Sequence, residues 1–85
     1  MHFDEHDEGD YRIYCGALEA ATGAGYTAAL VVSHVRDANG AGREVFRDDP
    51  LACGHRWPSP AAALAYALRM GRDVVKAERR RLASS

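Results

Sequence analysis

The sequence predicts a small α+β domain, an antiparallel three-stranded meander followed by a C-terminal α-helix packed on one face of the sheet. Three observations carry this. Residues 11–18 and 26–35 alternate in side-chain character with the period of two that a strand imposes. A glycine-rich step separates these two runs, and an Asn-Gly step separates the second from a shorter third run. From Pro60 onward apolar residues recur at spacings of three and four, the period of a helix with one buried face. Eighty-five residues hold one such domain.

Residues 1–10 carry Asp4, Glu5, Asp7, Glu8 and Asp10 and no aliphatic side chain besides Met1. They are expected to form a flexible acidic arm ahead of a domain spanning 11–82. The first strand begins at Tyr11, with Tyr11, Ile13, Cys15 and Ala17 on one side and Arg12, Tyr14, Gly16 and Leu18 on the other. Ala21-Thr22-Gly23-Ala24-Gly25 ends it in a hairpin connection. The second strand, residues 26–36, turns Tyr26, Ala28, Leu30 and Val32 one way and Thr27, Ala29, Val31, Ser33 and Val35 the other. Apolar residues on both sides mark a central strand. After the turn around Asn39-Gly40, residues 43–47 form a shorter third strand about Val45 and Phe46, ended by Asp48-Asp49-Pro50.

Residues 51–57 read as an irregular crossover. Ser59 is placed to cap the helix, and Pro60 suits its first position, where the missing N–H would have no partner. Leu64, Leu68, Gly71 and Val75 form the stripe expected against the sheet, flanked by Ala61, Ala67 and Val74, with the helix running to about Arg80. Trp57, just ahead of the cap, suits packing across the helix start. One helix covers one side of a sheet. The other side, with Ala29, Val31 and Val35, would stay exposed in a monomer, and self-association is the expected way to bury it.

The net charge of −1 conceals an asymmetry, for the acidic residues crowd the start of the chain while Arg69, Arg72, Lys76, Arg79, Arg80 and Arg81 crowd its end. Either these are solvated surfaces or the two ends attract, within one chain or between two. Arg69, Arg72, Lys76 and Arg79 recur at spacings of three, four and three, a basic stripe that could contact nucleic acid or another anionic partner. The acidic segment would compete for the same stripe.

Chemistry-bearing motifs are sparse. Cys15 and Cys53 follow an acidic, polar N-terminal segment unlike a signal peptide, so reduced thiols and a cytoplasmic location are expected. No apolar run approaches the roughly 20 residues needed to cross a bilayer. Cys53-Gly54-His55 lacks the paired ligand spacings of a zinc site. Cys53 sits a few residues before the helix, near His55 and Arg56, which could favour its thiolate, but a structural cysteine is the expected reading. No phosphate-binding loop and no nucleophile elbow occurs. The expectation is no catalytic, cofactor-binding or metal-ligating residue, and no enzyme.

The stretch Gly25-Tyr26-Thr27-Ala28-Ala29-Leu30-Val31-Val32, the segment Phe46-Arg47-Asp48-Asp49-Pro50, and the helix from Ser59-Pro60-Ala61-Ala62-Ala63-Leu64 to Met70-Gly71-Arg72 together resemble small bacterial proteins without an assigned activity. The resemblance covers roughly residues 11–76 and implies a fold, a strand-rich half followed by a capped helix, and no function. The strand and helix order is also similar to the DNA-binding domains of plant ethylene-response factors and phage integrases, whose sheets read DNA. The strands here lack the run of Arg and Trp that such sheets present. The functional expectation is therefore a non-enzymatic interaction module, self-associating as a homodimer or binding another protein, with nucleic-acid binding through Arg69, Arg72, Lys76 and Arg79 as the alternative.

Overall fold

The computed structural model describes residues 2–20, 25–35, 42–49 and 55–83. They form four strands and a helix: β1 (His2–Glu8), β2 (Tyr11–Glu19), β3 (Tyr26–His34), β4 (Arg43–Asp48) and α1 (Pro60–Ala83). The strands make one antiparallel sheet in the order β1-β2-β3-β4. The α+β class and the C-terminal helix are as expected, but the sheet has a fourth strand. The expected connections at 21–24 and 36–41, together with Cys53 in the crossover, lie outside the described residues.

The additional strand is the segment expected to be a flexible acidic arm. β1 pairs with β2 along its whole length, from His2 opposite Ala17 to Glu8 opposite Tyr11. A two-residue loop, Gly9-Asp10, joins them, and Gly9 has φ 60°, the sign that the tight hairpin turns require at their first central residue. β1 needs no aliphatic side chains because it lies at the sheet's edge, where backbone pairing to β2 satisfies one side and its acidic side chains remain in water. Several of those acids find cationic partners. Asp7 accepts a hydrogen bond from Arg12 at 2.9 Å, Glu5 lies 3.4 Å from the same guanidinium, and Glu8 lies 3.3 Å from Arg72.

The alternation read from β2 and β3 is realised. Ile13, Cys15 and Ala17 from β2 and Ala28, Leu30 and Val32 from β3 are fully buried on the helix side. Ile13 faces Val32, Cys15 faces Leu30 and Ala17 faces Ala28 across the ladder, so one register assembles the core. β4 continues the sheet with Phe46 opposite Val32, and its register shifts between Val32 and Ser33. Beyond β4, Trp57 occupies the free edge of β3, exchanging two backbone hydrogen bonds with Tyr26 at 2.8 and 2.9 Å.

The helix begins as its sequence indicates, with Ser59 Oγ accepting a hydrogen bond from the Ala62 N–H at 3.1 Å. Its buried line differs from the expected one. Ala63, Ala67, Gly71 and Val75 meet the sheet, while Leu64 and Leu68 pack beside them, half-buried, and Ala61 is exposed. The reason is the close approach of helix and sheet. A Cβ at Gly71 would stand 2.5 Å from Ile13 Cγ2 and 3.1 Å from Leu30 Cδ1, so small residues occupy the contact line and the leucines fill the wedge alongside.

Candidate interaction surface

The basic stripe reaches the acidic strand. Arg72 pairs with the Glu8 carboxylate, and Arg79 donates to the Glu8 backbone carbonyl at 3.2 Å with its guanidinium 5.9 Å from the Tyr11 ring centre. The attraction between the two ends of the chain thus operates within one molecule. Arg69 lies 5.7 Å from the Tyr66 ring centre, and Lys76 is exposed on the outer side of α1. Of the four residues singled out, Arg72 and Arg79 are brought together by Glu8, and Arg69 and Lys76 are not part of that cluster.

The opposite side of the sheet has another character. Its side chains follow from the register as rows running across the strands. One row is Glu5, Tyr14, Val31 and Arg47. The next is Phe3, Gly16 and Ala29, and the row on the other flank is Asp7, Arg12, Ser33 and Glu44. The middle of this face is apolar and its charges stand toward the edges. Phe3 is 67% exposed, unusual for a phenylalanine. It borders a groove of about 180 Å³ lined by Tyr14, Gly16, Leu18, Ala29 and Val31, with Arg47 and Asp49 at its margin.

Gly16 forms the groove's floor, and nothing among the described residues calls for a glycine there. A Cβ there would make ordinary contacts, 3.6 Å from Ala29 Cβ and 3.9 Å from Leu18 Cδ1. A glycine inside a central strand weakens it by roughly 0.5–1 kcal/mol relative to alanine, and such positions often mark close approach by another molecule. Sequence reading identified Ala29, Val31 and Val35 on this face but not Phe3, because the strand that carries Phe3 was not recognised. The one local signal was the two-residue Gly9-Asp10 step, a hairpin dipeptide, ahead of the alternating segment that begins at Tyr11.

Cys15 is fully buried, and burial, with Asp4 adding to it, pushes its thiol up from 9.0 to about 11. Such a thiol is a poor nucleophile near neutral pH. Among the described residues no cluster of three or more His, Cys, Asp or Glu side chains could hold a metal ion, and no helix is long and apolar enough to cross a membrane. Comparison with protein-family models, with curated proteins and with solved structures found no match.

Proposed function

We propose that this protein is a non-enzymatic interaction module whose docking surface is the sheet face opposite α1. The observation that carries the reading is the exposed Phe3 beside a groove floored by Gly16 and walled by Tyr14, Leu18, Ala29 and Val31. An exposed phenylalanine bordering an apolar trough, with charges around it, is the pattern of a contact surface with an apolar middle and a polar rim. Arg12 with Glu5 and Asp7, and Arg47 with Glu44 at 2.7 Å, supply such a rim.

Nucleic-acid binding along α1 is the second reading, supported by Arg69 and Lys76 on its outer surface. It draws less support because Arg72 and Arg79 are turned toward Glu8.

In-cell photo-cross-linking tests the proposal. A photoreactive amino acid in place of Val31 is expected to give discrete protein adducts that vanish when Ala29→Arg is added. The same group in place of Asp73, exposed on α1, is expected to give none of them. Absence of any adduct specific to the Val31 position would sink the reading.

A further inference from the structure

Resting on that reading of the open sheet face, we infer that its occupant is a second copy of this chain, bound face to face about a two-fold axis parallel to the strands, so that β1 of each copy lies over β4 of the other. The row Glu5, Tyr14, Val31 and Arg47 motivates this arrangement. It carries an acid at one end, a base at the other and two large apolar groups between. Rotation about an axis between β2 and β3 reverses the row, setting each Glu5 against the partner copy's Arg47 and each Tyr14 against its Val31. The ends of this row therefore meet with opposite charge at both edges of the interface, each Glu5, 3.4 Å from its own Arg12, against a guanidinium that also holds its own Glu44 at 2.7 Å.

The adjacent row is complementary in shape. Phe3 projects at one edge, and Gly16 and Ala29 leave the low ground beside it. Reversal sets the two Gly16–Ala29 troughs against each other and brings Phe3 from each side over the β4 end of the partner copy's groove, at the margin where Arg47 and Asp49 stand. This gives the glycine a purpose that the described residues around it do not supply, since facing sheets come within about 10 Å and the closest approach falls at the smallest residues. In the third row Asp7 comes over Glu44, and Arg12, already bound to Asp7 at 2.9 Å, stands beside that meeting as its counter-charge.

The charge pattern also disfavours an alternative pairing of copies. Edge-to-edge joining of β1 to β1 would bring Asp4, Glu5, Asp7 and Glu8 against their equivalents, whereas face-to-face packing keeps those two edges apart. Four strands about 4.8 Å apart, six to nine residues long at about 3.3 Å each, offer roughly 500 Å² of planar face. That is below the ~800 Å² per partner of a standard stable interface, so the dimer is concentration-dependent.

Light scattering over a wide concentration range, on the full chain in low and high salt, tests the arrangement. The wild type is expected to dimerise with rising concentration and to remain dimeric in high salt, because the centre of the face is apolar. Ala29→Arg is expected to be monomeric throughout. Glu5→Arg and Arg47→Glu are each expected to weaken dimerisation about tenfold, and the double exchange to return it to within about threefold of wild type. Circular dichroism and thermal unfolding of each variant establish that it is folded. A wild type that stays monomeric at every concentration overturns the inference, while cross-links from the Val31 position to some other protein would keep the docking-face reading. A dimer indifferent to Ala29→Arg overturns the inference, and loss of position-specific cross-links besides would remove both. Dissociation by Ala29→Arg without rescue in the double exchange overturns the opposition of β1 and β4.

Discussion

Gly71 illustrates how one side chain, or its lack, sets the distance between layers. Alanine there gains up to about 1 kcal/mol in helix propensity, yet its Cβ would intrude on Ile13 and Leu30, two fully buried residues with nowhere to retreat. Gly71→Ala is expected to lower stability by about 1–2 kcal/mol net, read as a reduced urea midpoint at unchanged slope. Cys15 offers a second test at this scale. Its thiol stays protonated in the folded protein up to about pH 11, while the unfolded chain's thiol ionises from about pH 9. Because the folded state then holds the extra proton, the contribution is complete below pH 9 and is lost as pH rises toward 11. The expected loss is roughly 2 kcal/mol across that window. Denaturation curves of wild type and Cys15→Ala isolate it, since the variant lacks this additional decline.

At the scale of elements, β1 shows how an edge strand can be built from polar sequence. Its ladder to β2 and its ion pairs do the work that apolar burial does for β2 and β3. The hairpin depends on Gly9 at φ 60°, where a β-branched residue is strained. Gly9→Val is expected to cost about 1–2 kcal/mol and to accelerate amide exchange in β1 well before that in β3. Equal acceleration across the whole sheet would show that β1 does not open separately. For α1, the small-residue contact line and the flanking leucines explain why its most hydrophobic residues are only half-buried.

Across the whole molecule, two central strands and one helix hold the core, and β1 lies beside α1 at the sheet's edge. Arg72 and Arg79 tie those two elements together at Glu8. Exchange protection should therefore be greatest at Ile13, Cys15, Leu30 and Val32 and lowest in the exposed last turn of α1, a gradient measurable by NMR. Uniform protection would mean that the sheet and helix open only together. The same architecture separates two surfaces of opposite character: α1 presents Arg69 and Lys76 outward, and the far side of the sheet presents Phe3 and its groove.

The α+β class, the alternation of β2 and β3, the cap at Ser59 and the presence of a second apolar sheet face are legible in the residues alone, because period and capping chemistry are local. The acidic composition of residues 1–10 pointed to a free arm because local hydrophobicity does not record backbone pairing with a neighbouring strand. Similarly, Leu64 and Leu68 dominated the helical pattern by hydrophobicity, but the spacing between helix and sheet selected Ala63, Ala67 and Gly71 for the contact. The candidate surface divides the same way. Sequence supplied Ala29 and Val31, whereas Phe3, Gly16, Glu5 and Arg47 became one face only through the register of four strands. Which side chains share a strand face follows from their order in the chain; which strands stand side by side, and which residues they align, follows from hydrogen bonding between segments far apart in it.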